Sequence, residues 1–319
     1  MKTRSKCLAL ALVTLLWSSC GKMESTDLLW NRLSSGTNSQ LNDIYFTDAQ
    51  NGVALGGSTW FLGQQLQTRD GGQSWTVDSL WRAELQALSN GPDGRLYAVG
   101  IGGRVFQKSN NRDWQTAKLI PVAIHRDLCV GPSGRTLIVS GEAFQDGRLL
   151  VYSPQWDLLH QDSFEFELSA VCFSDDSTAH IGGYGALLRS TDAGLTWAFR
   201  DMDGDFFQSI HFPTADVGYA VGLLGTIAKT TDGGRTWFKQ RDGRKLSQSD
   251  VPFRSVFFVN PQKGYIVGDD QTFWKTEDGG EVWKKIASPP PGDLKAIQVV
   301  DGKGFIVGSG GGIYTFTDE

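Results

Sequence analysis

The sequence holds little of what most catalytic and metal sites require. Its 319 residues include only four cysteines and four histidines, and the histidines are scattered along the chain. Cys7 and Cys20 lie near the start, which leaves Cys129 and Cys172 for the remainder. Two isolated cysteines without neighbouring ligands do not make a zinc site. No phosphate-binding glycine loop is present either, so we predict no cofactor and no bound metal.

An excess of positive charge is also missing, since the formal net charge is −5. Such a surface argues against sequence-independent binding of nucleic acid, which needs a basic footprint. One long apolar run occurs, from Cys7 to Trp17, just after three basic residues. The run is too short to span a bilayer comfortably as a helix. A basic segment followed by a short apolar run predicts a signal peptide.

The apolar run ends in Leu16-Trp17-Ser18-Ser19-Cys20-Gly21, which resembles a lipoprotein signal. The resemblance implies a signal peptide over residues 1–19, lipidation of Cys20 and an anchor or linker over residues 20–27. It also implies a location in the bacterial cell envelope, lipid-anchored at the outer membrane on its periplasmic or surface face. An ordinary secretory signal is the alternative. Loss of residues 1–19 changes the net charge to −8, because they carry three cations and no anions.

An internal repeat dominates the rest of the chain. The pattern S/T-x-D-x-G-x-x-W occurs at residues 68–75, 190–197, 230–237 and 276–283. Tryptophans at positions 114 and 156 mark shortened copies between the first two full ones, and Trp30 lies about one period before Trp75. Nothing after the signal shows sustained helical periodicity. Four short strands bounded by Gly and Asp turns in each period of ~40 residues predict a propeller blade.

The two ends of the chain complete the repeat. Residues 311–318 match residues 225–232 and stop at the aspartate of the pattern. The C-terminus therefore supplies the front of a last repeat, and the segment with Trp30 supplies its back. We predict an all-β, seven-bladed propeller with four-stranded blades over residues 28–319, its last blade closed by the N- and C-terminal strands. Radial closure leaves only short, protected sheet edges.

The repeated aspartates are predicted to be architectural. An Asp before Gly-Gly in a hairpin turn accepts hydrogen bonds from the backbone N–H groups that follow it. The tryptophan beyond the turn is expected to bury its ring between blades. Near-copies spread around a ring also make a poor single active site. The residues given this structural role are Asp70, Asp192, Asp232, Asp278, Trp75, Trp197, Trp237 and Trp283.

The pattern resembles the Asp-box (BNR) repeat families. With Gly-Tyr/Phe-x-Val-Gly ahead of Thr-x-Asp-Gly-Gly-x-x-Trp, it is most similar to the photosystem II stability/assembly factor family and its bacterial relatives. This resemblance implies a seven-bladed assembly or scaffolding protein without a cofactor and without catalytic activity.

A sialidase-like or other glycan-processing hydrolase is the alternative, because Asp boxes also occur in sialidases. That family has six blades and a Phe/Tyr-Arg-Ile-Pro motif, which this chain lacks. Another glycosidase would need two carboxylates facing a sugar across a cleft. The candidates in or near loops are Asp127, Glu142, Asp201, Asp205 and Asp250, and no spacing singles out a pair.

We predict instead that one face of the propeller recognises a protein partner in a cell-envelope complex. The second residue of every predicted inner strand is polar, namely Asn42, Gln86, Arg126, Ser169, Gln208, Arg254 and Lys295. The predicted binding residues are the basic ones and two from a nearby loop: Arg126, Arg244, Lys245, Arg254 and Lys295. Their guanidinium and ammonium groups favour a partner with an acidic loop or tail.

The remaining expectations concern alternative binding loops, the oligomeric state and the two cysteines. If the basic sector does not bind the partner, the longer loops at residues 57–65 and 142–147 are the next candidates. The protein is expected to be a monomer that contacts the membrane only through its lipid. Cys129 and Cys172 occupy the same position of neighbouring inner strands, and we expect two buried thiols rather than a disulfide.

Overall fold

The structure is a computed structural model that describes residues 24–58, 62–81, 84–109, 113–245 and 251–317, without the side chains of Leu80, Trp81 and Asp203. The predicted signal peptide and Cys20 lie outside the described residues. Within them, every regular element is a β-strand apart from a short 3-10 turn at Ser309–Gly311. No helix in this part of the chain is long and apolar enough to cross a membrane.

The strands are numbered in chain order. The first are β1 (Ser25–Thr26), β2 (Trp30–Leu33), β3 (Gln40–Phe46), β4 (Gly52–Ser58), β5 (Leu62–Thr68), β6 (Thr76–Trp81), β7 (Leu85–Asn90) and β8 (Leu96–Lys108). Next come β9 (Gln115–Val130), β10 (Thr136–Glu142), β11 (Gln145–Tyr152), β12 (Leu158–Phe164), β13 (Leu168–Phe173), β14 (Ala179–Ser190), β15 (Ala198–His211) and β16 (Gly218–Gly222). The last are β17 (Ile227–Thr230), β18 (Phe238–Arg241), β19 (Phe253–Phe258), β20 (Gly264–Gly268), β21 (Thr272–Thr276), β22 (Lys284–Ile286), β23 (Leu294–Val300), β24 (Lys303–Gly308) and β25 (Ile313–Thr317).

Hydrogen bonds join these strands into five sheets. Two sheets have four strands, in the orders β3-β4-β5-β6 and β2-β25-β24-β23. One sheet has five strands, β1-β22-β21-β20-β19, and two have six, β12-β11-β10-β9-β8-β7 and β13-β14-β15-β16-β17-β18. The predicted all-β propeller is confirmed. Where seven four-stranded blades were predicted, the hydrogen bonds give five sheets of four to six strands.

Two long strands account for the six-stranded sheets. β9 pairs with β8 over residues 115–124 and with β10 over residues 125–130. In the same way β15 pairs with β14 over residues 198–206 and with β16 over residues 207–211. We call the strands that belong to one repeat of the sequence a group. Because the backbone stays extended between the two stretches, one long strand belongs to two successive groups, and the two groups merge into one sheet.

One strand or strand segment from each group belongs to a closed inner ring. β3 contacts β7, and the contacts continue through β9, β13, β15, β19 and β23 back to β3. Side chains tie neighbours in this ring together. Asp43 Oδ2 accepts the Leu88 N–H at 2.7 Å, and Asp127 Oδ2 accepts the Val171 N–H at 2.8 Å. Burial between the strands raises the pKa of Asp43 to about 7 and that of Asp127 to about 8.

The ring is sealed where the chain ends meet. Gln298 Oε1 on β23 accepts the Phe46 N–H of β3 at 2.6 Å, and Gln298 Nε2 donates to the Phe46 carbonyl at 3.2 Å. In the same sheet as β23, β2 pairs antiparallel with β25, with Trp30 opposite Phe316. Strands from the two ends therefore share one sheet, as the split repeat in the sequence indicates.

Packing within each sheet follows the repeat. In the first full repeat a Cβ at Gly52 would lie 2.6 Å from the Phe46 ring, and Trp75 meets that ring edge-on with centroids 6.0 Å apart. Only glycine leaves room for the phenyl ring at this position. The same triplet recurs as Phe212, Gly218 and Trp237, and as Phe258, Gly264 and Trp283.

Candidate functional site

A β-bulge occurs near the start of the inner segment in every group. The pairing register of β3 shifts between Leu41 and Asp43, so Asn42 has no residue opposite it. Equivalent shifts in the other six groups leave one residue each without a residue opposite it: Gln86, Arg126, Ser169, Gln208, Arg254 and Lys295. A bulge re-aims a side chain relative to the regular alternation of a strand. All seven of these residues line one cavity of about 520 Å³, which we call the mouth.

The basic side chains at the mouth are paired with carboxylates. Arg126 Nη2 lies 2.6 Å from Glu167 Oε1. Arg254 Nη2 and Lys295 Nζ both contact Asp269, at 2.5 and 2.7 Å. The predicted excess of positive charge is therefore offset at the mouth, because acidic residues from other parts of the chain fold against the cations.

One buried amide group at the mouth remains available to a ligand. Asn42 Nδ2 donates to Glu84 Oε1 at 2.7 Å, so this side chain is engaged. Gln208 Nε2, in contrast, is buried and has no hydrogen-bond partner among the described residues. A buried donor without a partner costs free energy, which a bound acceptor would recover.

Three aromatic rings stand beside these polar groups, and we call them the aromatic ledge: Phe144, Tyr184 and Phe206. Phe144 and Phe206 line the mouth. Phe144 lies 5.3 Å from Tyr184 and 5.5 Å from Phe206 between ring centroids. Phe144 is 51% exposed and Tyr184 is 45% exposed. Exposed aromatic rings next to a polar cavity are typical of protein-binding sites, where such residues dominate the binding energy.

Phe144 is held in an unfavourable backbone conformation. It forms with Ala143 the two-residue turn between β10 and β11, and their φ angles are +67° and +53°. Such a turn normally uses Asn or Gly, because other side chains disfavour positive φ. Glu167, only 2% exposed, stabilises the turn: its Oε2 accepts the Phe144 N–H at 2.8 Å, while its Oε1 binds Arg126. Strain maintained by such contacts often marks a functional site.

Two of the predicted binding residues lie outside the lining of the mouth. Arg244 lies beside Gly204, where a Cβ would be 3.6 Å from its Nη1. Lys245 is exposed, and its backbone N–H donates to the Asp242 carbonyl. The fold thus brings Arg126, Arg254 and Lys295 to the mouth and leaves Arg244 and Lys245 elsewhere. Phe144 of the ledge lies in segment 142–147, which was predicted as a longer loop and is instead a two-residue turn between strands. Tyr184 and Phe206 lie on strands that sequence reasoning did not select.

The four full Asp boxes have nearly identical contacts. In the first, Thr68 Oγ1 donates to Asp70 Oδ1 at 2.8 Å and accepts the Gly72 N–H at 2.8 Å, while Asp70 Oδ1 accepts the Ser74 N–H at 2.9 Å. The Ser74 hydroxyl and N–H, with the Thr68 hydroxyl, lower the pKa of Asp70 to about 2. The same bonds recur around Asp192, Asp232 and Asp278.

The Asp-box tryptophans are buried to different degrees. Trp283 is 9% exposed, whereas Trp75, Trp197 and Trp237 are only partly buried. Cations of neighbouring strands also bind the carbonyls of these turns. Lys303 Nζ donates to the Gly71 carbonyl at 2.9 Å, for example. The contacts of each box thus connect its turn to the adjacent group of strands.

The four described carboxylates considered for a hydrolase show no arrangement as a catalytic pair. Asp127 binds the Val171 N–H between two inner strands, and Asp205 is fully buried and accepts the N–H groups of Phe206, Leu224 and Thr226. Glu142 and Asp201 are exposed, and Asp250 lies outside the described residues. In the described chain, no group of three or more His, Cys, Asp or Glu residues is placed to hold a metal ion.

The two remaining cysteines are both unbonded thiols in the structure. Burial raises the pKa of Cys129 to about 12 and that of Cys172 well above its ordinary value. Thiols with raised pKa values are poor nucleophiles at neutral pH. Their contacts are those of small core residues, since each packs against an apolar cluster.

The fold and the four boxes define an Asp-box β-propeller, and comparison with known proteins places it near one family. Residues 201–319 match the family described as photosynthesis system II assembly factor YCF48. The photosystem II assembly protein Ycf48 of Synechococcus sp. (strain JA-3-3Ab) is 26% identical over 185 residues, which are 53% of this chain and 53% of that protein. The chain thus spans about half the length of this curated relative. It is an Asp-box propeller that resembles the photosystem II assembly factors, as the sequence predicted.

Solved structures show the same fold over nearly the whole chain. YCF48 bound to D1 peptide has a TM-score of 0.71 at 16% identity, covering 93% of this chain and 98% of its own. YCF48 from Cyanidioschyzon merolae has a TM-score of 0.70 at 15% identity, with coverages of 90% and 98%. The WD40 β-propeller domain of Doa1 has a TM-score of 0.69 at 10% identity, with coverages of 92% and 98%. At these identities the likeness shows the fold alone.

These findings change one prediction and agree with another. The predicted lipid-anchored location at the bacterial outer membrane is wrong, because the matching family and the Synechococcus relative are described as photosystem II assembly proteins. That prediction depended on a few residues before Cys20, and so short a motif carries little information about location. The same descriptions are of assembly factors, in agreement with the prediction of a protein that is not an enzyme.

Proposed function

We propose that this chain is a non-catalytic, protein-binding propeller that takes a segment of another protein at the mouth. The observation that carries the proposal is the aromatic ledge beside a cavity on which the bulge residues of the whole inner ring converge. The rings of Phe144 and Tyr184 would cover an apolar side chain of the partner. The polar groups of the mouth, among them the unpartnered Gln208 Nε2, would bind its backbone.

We further propose that the propeller has seven blades over residues 28–319. The inner ring of β3, β7, β9, β13, β15, β19 and β23 supports this count. β8 and β14 also support it, because each contains a glycine at positive φ, Gly102 at +124° and Gly185 at +72°. β8 pairs with β7 as far as Gly100 and with β9 from Ile101 onwards, and β14 pairs with β13 as far as Gly183 and with β15 from Tyr184 onwards, which fits two strands of one blade in each case.

The charges at the mouth restrict the kind of partner. Three cations, Arg126, Arg254 and Lys295, are paired with Glu167 and Asp269, so the mouth has no large net charge of one sign. A strongly acidic tail would gain little from cations that are already paired. A segment with an apolar anchor and hydrogen-bonding backbone groups fits better. The solved YCF48 complex with a D1 peptide supports a peptide-like ligand for a propeller of this shape.

Selection from a random peptide library on the purified full chain tests this function. Affinities of the selected peptides are then measured for the wild type and for the double variant Phe144→Ser with Tyr184→Ser. We expect the double variant to lose about tenfold or more in affinity, since aromatic anchors contribute most of the binding energy at such sites. Glu167→Gln should also weaken binding, because it loosens the Phe144 turn.

Phe238→Ser is the matched control. Phe238 is a comparably exposed phenylalanine, at 47%, on β18 outside the lining of the mouth. Circular dichroism and melting temperature establish that each variant is folded. If the Phe238 variant loses binding and the double ledge variant keeps it, or if the library yields no binding peptide, the proposed function is wrong.

A further inference from the structure

The shortened second repeat departs from the Asp box at one informative residue. The strands that precede the full boxes end in Thr68, Ser190, Thr230 and Thr276, whose hydroxyls bind the aspartate and a glycine N–H of the turn. β8 ends instead in Lys108. Its side chain is only 8% exposed, and its Nζ donates to Gln67 Oε1 at 2.8 Å.

A cavity of about 280 Å³ lies beside this lysine. Its wall includes Arg69, which is exposed and makes no ion pair with any residue that the structure describes. Tyr45 and Leu96 contribute apolar surface to it. None of its lining residues belongs to the mouth, so this is a separate place on the molecule.

The described carboxylate that lines this cavity already has hydrogen-bond partners. Asp48 is the acidic residue among the described residues that line this cavity. Its Oδ1 accepts the N–H groups of Gln50 and Asn51, each at 2.8 Å, and the Asn51 amide binds both of its oxygens. Asp48 therefore stabilises its own turn and does not pair with Lys108.

Among the described residues, the Lys108 ammonium group has no counter-ion in contact. Burial lowers the pKa of Lys108, and the charges of Asp113 and Asp78 act against that shift from a distance. Burying a charge is unfavourable unless it is paired, and a charge-assisted hydrogen bond to an oxyanion is stronger than one to a neutral amide. Arg69 adds a second cation, close enough to Lys108 to act on it electrostatically.

We propose that this cavity binds a small organic anion, a carboxylate or phosphate group on an apolar body. Lys108 and Arg69 bind the oxyanion, and Tyr45 and Leu96 contact the apolar body. The cavity volume suits a ligand of about the size of a substituted benzene ring. The shortened second repeat, which has Lys108 where a full box has Thr or Ser, thus acquires a ligand site beside the first full box.

Calorimetric titration of the full chain with benzoate, phenyl phosphate and benzamide, at constant ionic strength, tests the proposal. We expect benzoate, phenyl phosphate or both to bind, and the neutral benzamide to bind about tenfold or more weakly. Binding of only one anion identifies the carboxylate or the phosphate as the preferred group. If neither anion binds, or if benzamide binds as tightly as benzoate, the proposal is wrong.

Substitutions at the cavity test whether the anion binds there. Lys108→Thr introduces the residue found at three of the full boxes, and it should weaken anion binding about tenfold or more. Lys285→Thr is the control, because Lys285 is an exposed lysine on β22 outside the cavity, and it should leave binding unchanged. Should Lys108→Thr fail to fold, Arg69→Gln at an exposed position serves in its place. Unchanged affinity in Lys108→Thr, or in that substitute, would overturn the assignment.

Discussion

The junction between β23 and β3 allows a quantitative prediction. Gln298 is the side chain that binds both the N–H and the carbonyl of Phe46, at 2.6 and 3.2 Å. Gln298→Leu keeps a similar volume and removes both hydrogen bonds. Phe46 is 1% exposed, so its backbone groups cannot readily exchange that partner for water.

The magnitude follows from the two backbone groups left without a partner. Each buried group costs about 1–3 kcal/mol, so we expect the free energy of unfolding to fall by about 2–6 kcal/mol. At about 2 °C per kcal/mol for a chain of this size, the melting temperature should fall by about 4–12 °C. Because Gln298 lies at the junction where the ring closes, the substitution tests the closure of the ring as well as the two hydrogen bonds.

Urea denaturation followed by tryptophan fluorescence measures the loss, with Gln86→Leu as the matched control. Gln86 lines the mouth, and its amide makes no hydrogen bond to a described residue, so the same substitution there should change stability little. The reasoning is refuted if the two variants have equal unfolding midpoints. Similar m-values in both variants would show that the change acts on the folded state.

Three further predictions concern stability. Trp283→Ala should cost about 3–5 kcal/mol, the usual range for a buried aromatic, and Trp237→Ala should cost less because Trp237 is partly exposed; thermal melts of both variants check the order. Burial raises the pKa of Asp127 to about 8 from an ordinary value of 3.8, so its stabilising contribution is full below pH 3.8 and is lost as the pH rises through 8. Asp127→Asn should remove this part of the pH dependence of stability, which urea denaturation at several pH values measures. The prediction is contradicted if the unfolding midpoint of the variant falls with rising pH as steeply as that of the wild type. Thr276→Val deletes the three hydrogen bonds that its hydroxyl makes in one Asp box and should lower the unfolding free energy by about 2–4 kcal/mol; an unchanged melting temperature would show that the hydroxyl is dispensable.

Much of the architecture can be predicted from the sequence, because the repeat is visible in the spacing of individual residues. The spacing of the tryptophans predicts the ring of strands, and the unfinished C-terminal repeat predicts the pairing of β2 with β25. The polar second residues of the inner strands all reach one cavity. The merging of sheets through β9 and β15 was not predictable, because it depends on whether the backbone stays extended where one pairing partner is exchanged for the next.

The electrostatics and the ledge were harder to predict for a different reason. Arg126 and Glu167 are 41 residues apart in sequence, and Arg254 and Asp269 are 15 apart, so a count of nearby charges misses both pairs. Phe144 belongs to a shortened repeat, where the pattern gives no guidance on its position. The length of loop 142–147 was the one signal for it in the sequence, and the cost of its two positive φ angles is visible only in the structure.

Hydrogen–deuterium exchange of the full chain with and without a selected peptide tests the central claim most directly. A ligand at the mouth should slow exchange in residues 141–147 and 204–208, which carry Phe144 and Phe206, and leave the Asp-box turns unchanged. Slower exchange confined to the Asp-box turns, with no change around Phe144, would contradict a binding site at the mouth.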